Sequence, residues 1–428
     1  MLLIKGGRLV DPASGTDARL DVLIEGERIA QVAPAVSAPG AEVFDASGLC
    51  VAPGFIDLHC HLREPGDELS ETIESGTQAA ARGGFTAVCC MPNTRPVNDN
   101  ASVTRFILDR AARAPVRVWP IGAASQGSQG EALAEIAAMR RAGIVAVSDD
   151  GRPIATARLL RQVMDYCRSL GLAVVDHCED SSLAAGAVMR EGTHSVRLGL
   201  RGMPAATESI AVARDLQLCE LTGCRLHIAH LSTRASLELV RQAKQRGLPV
   251  TCEVTPHHLT LTDADVGYNT HFKMNPPLGS EEDRQALLEG LADGTVDAVA
   301  TDHAPHAPAL KAVEFDRAPF GVIGFETALA LVLDQCVHTG RIALLRAVEL
   351  FTTGPARLLG HTRRVAPGEV ADLTLFSTDF SWTFRAEESA SRSRNSPFDG
   401  RSFRGAPMAT IVAGRIVWRR QRQSAAAG

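Results

Sequence analysis

Apolar and polar positions alternate in short runs at the start of the chain: Leu2-Leu3-Ile4, residues 20–24 and residues 29–32, separated by Gly6-Gly7 and Glu25-Gly26-Glu27. A period of two broken by turn residues predicts hairpin strands. The same texture returns in residues 371–376 and 409–418, so the two ends are expected to pair. Between them, buried-type strands alternate with Ala- and Leu-rich helical stretches, the signature of repeated βα units around a parallel sheet. Eight such strands are expected to end near His61, Met91, Ile121, Asp150, His177, His230, Thr255 and Asp302, with helices over 101–113, 131–141, 155–170, 232–246 and 281–291.

The expected fold is therefore α/β: a (β/α)8 TIM-type barrel over 53–363, with a small β-sandwich domain built from 1–52 and 364–421 and a tail at 422–428. The Ser/Arg-rich stretch 389–396 and the tail read as surface segments.

At 428 residues, 45% apolar and 22% charged, the composition is that of a globular protein with a sizeable core. A formal net charge of -5 gives no basic field for nucleic acid, and the basic run 415–422 reads as a solvated strand end. No stretch approaches the roughly 20 apolar residues of a membrane span, and the first residues are too short for a signal-peptide core. No membrane association and a cytoplasmic location are expected. The 10 cysteines form no CxxC pair, which predicts buried, reduced thiols.

In an extended strand alternate side chains share a face, so His59 and His61 in Asp57-Leu58-His59-Cys60-His61 point the same way. Two imidazoles at the end of the first barrel strand can grip one metal ion. Asp149-Asp150, His177, His230 and Asp302 also fall at expected strand ends, and in such a barrel those ends open onto one face. Imidazoles with carboxylates suit zinc better than calcium or magnesium. Cys178 should point away from this group. His227, His257, His258 and His303 are expected to pack or support it, and His194, His271, His338 and His361 to be surface or structural.

Further motifs accompany these residues: Met91-Pro92-Asn93-Thr94-Arg95-Pro96, Ser148-Asp149-Asp150-Gly151, Asp176-His177-Cys178-Glu179-Asp180, His227-Ile228-Ala229-His230, Glu253-Val254-Thr255-Pro256-His257-His258, Lys273-Met274-Asn275-Pro276-Pro277, Thr301-Asp302-His303-Ala304-Pro305-His306 and Ala318-Pro319-Phe320-Gly321. In this order, over nearly the whole chain, they resemble the amidohydrolase superfamily and, within it, the aspartate-bridged dihydroorotases of many bacteria.

That resemblance implies that His59, His61 and Asp302 hold one zinc, that His177 and His230 hold a second, and that Asp150, the aspartate just before the glycine, bridges them. One or two zinc ions are implied, two being favoured. Hydantoinases and allantoinases of the superfamily bridge with a carboxylated lysine on the fourth strand. The four lysines here, Lys5, Lys244, Lys273 and Lys311, fall elsewhere.

A pocket for dihydroorotate needs a forked cation for its carboxylate, and Arg63, two residues beyond His61 on the same alternating face, fits. The resemblance adds Asn93 and His306 to this clamp, and Asn275 with the backbone near Pro319 and Gly321 to ring recognition. Asn275 reads equally well as a turn residue before two prolines.

The implied activity is reversible cyclisation of N-carbamoyl-L-aspartate to L-dihydroorotate in pyrimidine synthesis, with Asp302 as catalytic proton carrier. A homodimer and association with aspartate transcarbamoylase are implied as partners. Two alternatives remain: another cyclic amidase of hydantoinase or allantoinase type, and an inactive dihydroorotase-like scaffold for aspartate transcarbamoylase.

Overall fold

The computed structural model describes residues 1–421, so the expected tail at 422–428 lies outside the described residues. Eight parallel strands form the central sheet: β1 (Phe55–Cys60), β2 (Phe85–Cys90), β3 (Arg117–Gly122), β4 (Ala146–Val147), β5 (Ala173–Asp176), β6 (Leu226–Ile228), β7 (Val250–Val254) and β8 (Ala298–Val299). They are ordered consecutively from β1 to β8. The ring closes just beyond β8, where Cys60 bridges His303 in parallel and the His61 N–H donates to the His303 carbonyl at 2.8 Å. All six residues of β1 and of β2 are buried. Unbroken apolar runs such as Phe85-Thr86-Ala87-Val88-Cys89-Cys90 are what a sheet covered on both faces requires.

Short polar residues start the barrel helices. Asn100, Thr156, Thr233 and Ser280 each accept a backbone N–H of the first helical turn, which satisfies donors the helix cannot. One expected helix is shorter than its pattern. Residues 131–135 stay out of the helix Ile136–Ala142 because their backbone pairs with the segment after β3, through Gln126 N–H to Ala132 and Ala134 N–H to Ala124.

Both termini build a second, continuous eight-stranded sheet. The hairpins Leu2–Asp11, Thr16–Glu25 and Arg28–Ala33 are antiparallel, as the alternation predicts, whereas Glu42–Asp45 and Cys50–Pro53 run parallel to the first strand. Cys50–Pro53 then pairs with Leu373–Thr383 from the far end of the chain. Two devices bind this sheet to the barrel. Phe55 stacks on Phe351 at 5.1 Å and meets Phe376 of the terminal sheet at 6.0 Å. Asp372, buried beside the sheet, accepts from Arg117 of β3 and from Arg363.

One expectation is corrected. The stretch 389–396 is not a surface segment: Ser391, Ser393, Asn395 and Ser396 are at most 2% exposed. Its small polar side chains are satisfied by the rim of the barrel, where Ser393 Oγ donates to the Ser70 carbonyl at 2.6 Å and Ser391 to Glu71. No composition rule marks a polar stretch as buried when its partners lie 320 and 323 residues away.

Candidate active site

The strand ends gather on one rim. His59 Nε2 lies 3.3 Å from Asp150 Oδ1 and 3.6 Å from Asp302 Oδ1. His61 Nε2 lies 3.1 Å from Asp302 Oδ1 and 3.6 Å from Asp150 Oδ2. His177 Nδ1 and His230 Nε2 each lie 3.6 Å from Asp150 Oδ1. Asp150 thus stands between two groups, with one oxygen toward His59, His177 and His230 and the other toward His61. Asp149 faces away and organises the β3 loop by accepting from the N–H groups of Ala124 and Ser125.

Backbone strain accompanies this convergence. Arg63, His230 and Asp302 have φ of 60°, 29° and 44°, a left-handed region that costs a non-glycine residue on the order of 1 kcal/mol or more. Arg63 reaches the pocket through this turn rather than by continued strand alternation, because β1 has already ended at Cys60.

The nest fits a metal ion. His59 Nε2 and Asp150 Oδ1 are buried, lie 3.3 Å apart and have no hydrogen-bond partner among the described residues, which would cost free energy unless a cation satisfied them. The nitrogens His177 Nδ1 and His230 Nε2 point at each other 2.9 Å apart. Ligand atoms of His59, His61 and Asp302, and of His59, Asp150 and His230, form two compact sets, each within 4.8 Å. A mixed imidazole and carboxylate donor set is that of a divalent transition ion.

Outer groups fix the ring orientations. His59 Nδ1 pairs with Glu253 Oε1 at 3.2 Å, His61 Nδ1 donates to Asn93 Oδ1 at 2.9 Å, and His177 Nε2 pairs with Glu179 Oε2 at 3.3 Å. With those protons held outside, the opposite nitrogens are free to ligate.

Electrostatics agree. Burial favours the neutral form, but at His59, His177, Asp150 and Asp302 charge across the nest outweighs it, whereas burial and then the neighbouring His177 hold His230 below its ordinary value. Asp150, then Glu253 and Asp302, hold the His59 pKa well above its ordinary value, and Asp150 with Glu179 raises His177 to about 10. Conversely, His59, His177 and His230 hold Asp150 well below the carboxylate range, and His61 and His59 do the same for Asp302. An ion entering the nest must therefore displace protons.

A cavity of about 310 Å³ opens above the nest, in the range of small-molecule sites. His61, Asp150, His177, His230 and Asp302 line it, as do Arg63, Asn93, Asn275, His306, Pro319 and Gly321, while His59 lies deeper. Arg63 donates through Nε to the Pro305 carbonyl at 3.1 Å, and one of its terminal nitrogens lies 3.5 Å from His306 Nε2. Burial first, then Arg63 and Lys311, press His306 down to about 2, so it is a neutral ring whose Nε2–H donates to the Phe320 carbonyl. Asn93 is already committed to His61 and, at 3.4 Å, to Asp150. Asn275 donates to Glu179 at 2.8 Å, and its Oδ1 has no partner among the described residues. Gly321 has φ of 134°, and a Cβ there would lie 2.7 Å from Ala304, so only glycine lets this loop approach.

None of the lysines reaches the nest. Lys5 lies on the terminal sheet and Lys244 pairs with Asp297. Lys273 donates to the carbonyls of Phe315 and Asp316, and Lys311 to those of Thr270, Lys273 and Pro319. The last two pin the loop that carries Pro319 and Gly321. Cys178 turns toward Asp176 and Asp215, away from the nest. All ten thiols are free and buried.

Sequence patterning assigns no role to Glu253, Glu179 or Asn395. A charged residue inside the buried run of β7 is the signal that could have marked Glu253, whereas Asn395 carries no local signal.

Comparison with known proteins agrees with this geometry. Residues 48–236 match the family described as Dihydro-orotase-like. A dihydroorotase of Solibacter usitatus is 56% identical over 423 residues, covering 98% of each chain. One from Pelotomaculum thermopropionicum is 53% identical over 418 residues, covering 97% of this chain and 98% of its own. The solved L-hydantoinase (dihydropyrimidinase) of Arthrobacter aurescens superposes with a TM-score of 0.87 at 27% identity, over 97% of this chain and 95% of the other. Full-length identity above one half, together with the barrel and its buried nest of imidazoles and carboxylates, places this chain in the dihydroorotase family of cyclic amide hydrolases.

Proposed function

We propose that this chain is a zinc-dependent dihydroorotase, catalysing the reversible cyclisation of N-carbamoyl-L-aspartate to L-dihydroorotate in de novo pyrimidine biosynthesis. One observation carries the reading: the Arg63 guanidinium opens into the same cavity as the nest of four imidazoles and two carboxylates. Substrate carboxylate and scissile amide can then be held together.

In this reading His59, His61 and Asp302 would hold one zinc, His177 and His230 would hold a second, and Asp150 would bridge them, two ions being favoured. Zinc supplies Lewis acidity and acidifies water at neutral pH. Asp302, ionised and facing the cavity, accepts the proton of the attacking water and delivers it to the ring nitrogen as the amide C–N bond breaks. In cyclisation it takes the proton from the carbamoyl nitrogen and returns it to the departing oxygen. Arg63 and Asn93 clamp the carboxylate, and His306 joins them when its Nε2–H turns from the Phe320 carbonyl to the substrate. The unpartnered Asn275 Oδ1 accepts a ring N–H, and the backbone at Pro319 and Gly321 completes ring recognition.

A hydantoinase-type activity is the second reading, supported by the similarity to the Arthrobacter aurescens enzyme. The lysines bonded elsewhere weigh against it. The inactive-scaffold reading is disfavoured because the complete ligand set is present and convergent. Turnover of L-dihydroorotate and of hydantoin by the purified, metal-analysed protein decides. Faster ring opening of dihydroorotate is expected; preference for hydantoin would overturn the assignment.

The reading extends to a homodimer associating with aspartate transcarbamoylase in the cytoplasm, checked by light scattering of the protein alone and mixed with that enzyme. No helix among the described residues is long and apolar enough to cross a membrane. In the same reading the barrel spans 53–363 and the sandwich domain 1–52 with 364–421.

A further inference from the structure

Between Leu373–Thr383 and Ser402–Val412, two adjacent strands of the terminal sheet, the chain leaves that sheet and crosses the barrel rim. This strap is stitched down at several points. Ser389 Oγ donates to Glu326 at 2.7 Å, Ser393 Oγ to the Ser70 carbonyl, and the Arg392 N–H to Glu71 at 3.1 Å. At its end Asn395, 1% exposed, uses its whole amide on loops that flank the cavity. Its Nδ2 donates to the carbonyls of Ala304 and Gly321, both at 3.0 Å, and its Oδ1 accepts the His306 N–H at 3.1 Å.

These partners belong to two separate segments. One carries His306, along with the Pro305 carbonyl that receives Arg63; the other carries Phe320, which receives His306, and Gly321. Both lack regular secondary structure at these positions. The segments also meet directly, through Ala304 N–H to the Val322 carbonyl at 2.8 Å and His306 to Phe320; Asn395 adds the tie from outside, a planar amide that reaches both carbonyls and the His306 N–H only when the loops stand at one distance.

We propose that Asn395 is a positioning residue for substrate recognition. Acting from outside the barrel, it sets the spacing of His306 and Gly321 and so the width of the site that selects a cyclic ureide bearing a carboxylate. The proposal rests on the dihydroorotase reading of the cavity. It assigns the terminal domain a part in specificity, not only in stability.

The test compares Asn395→Ala, Asn395→Asp and, as control, Ser389→Ala at the far end of the strap. Asn395→Asp keeps the size and the acceptor for His306 but turns an acceptor toward two carbonyls, so it serves where the alanine variant does not fold. For either Asn395 variant, the KM for L-dihydroorotate is expected to rise about tenfold or more, the effect of about 1.4 kcal/mol of lost hydrogen bonding. The kcat should stay within about threefold and bound zinc should be unchanged. Inhibition by N-carbamoyl-L-aspartate should weaken, while that by N-carbamoyl-β-alanine, which lacks the second carboxylate, should move little. Ser389→Ala should retain the parental KM. A folded Asn395 variant with unaltered KM, or one that loses kcat and zinc together, overturns the proposal alone. Parental protein inert toward dihydroorotate overturns the underlying reading as well.

Discussion

Replacing Glu253 by glutamine probes how the fold prepares the metal nest. Glu253 is fully buried on β7, with one oxygen 3.2 Å from His59 Nδ1 and the other 3.1 Å from His227 Nε2. Burial opposes its charge, yet His227 and His59 hold its pKa down to about 2, so it is a carboxylate at any working pH. The carboxylate pairs with His59 through one oxygen and sets the other beside His227 Nε2 at ion-pair distance without a formed hydrogen bond; an amide can keep the first contact but must turn its NH2 toward the second ring. In Glu253→Gln the amide oxygen would stay toward His59, while His227 changes tautomer and donates through Nδ1 to Thr251 Oγ1, 2.7 Å away.

What is lost is therefore charge assistance at His59. Hydrogen bonds to charged groups contribute about 1.5–3 kcal/mol and neutral ones about 0.5–1.5, so the expected loss is about 1.4 kcal/mol. That corresponds to about tenfold weaker metal binding, the lower end of effects for groups behind a ligand. Glu253→Leu removes both acceptors and should approach about a hundredfold. Competition against a chromophoric chelator measures the zinc Kd, and thermal unfolding of the metal-free protein verifies the fold. Should both folded variants bind zinc within about threefold of the parent, Glu253 does not prepare His59 and the argument fails.

Asp302→Asn should retain part of its zinc but lose turnover by on the order of a thousandfold, the range of a general acid–base group; near-parental kcat would remove its proton-carrying role. Arg63→Met should raise the KM for dihydroorotate by about ten- to a hundredfold with a smaller change in kcat, from loss of a charged hydrogen bond, and an unchanged KM would refute the clamp. Asp372→Asn should destabilise the fold by about 2 kcal/mol at neutral pH, a buried-pair value reduced because Arg117 is partly exposed. Burial raises the Asp372 pKa, but Arg117 and Arg363 lower it below the ordinary value. Its contribution is therefore complete above the ordinary aspartate range and is lost as pH falls through the depressed value. Denaturant unfolding at neutral pH and near pH 3 should show the gap between parent and variant closing on acidification; a constant gap would contradict the ion-pair account.

The sequence by itself determined what depends on local periodicity. Unbroken apolar runs such as residues 85–90 could only be strands covered on both faces, and the His59, His61 pair followed from a period of two. Asp150, His177, His230 and Asp302 were legible because each falls where such a run stops, and a parallel barrel carries all those ends to one rim. Tertiary structure decided what depends on partners distant along the chain. Arg63 enters the cavity through a left-handed turn that no periodicity encodes, and Glu253 becomes meaningful only when β7 lies across from His59. The serines and Asn395 of 389–396 look like a solvated loop until the rim at Ser70, Glu71 and Ala304 is in place to receive them. The physical reason is one of range: periodicity records which face of an element is buried, whereas a hydrogen bond between segments 320 residues apart leaves no local mark.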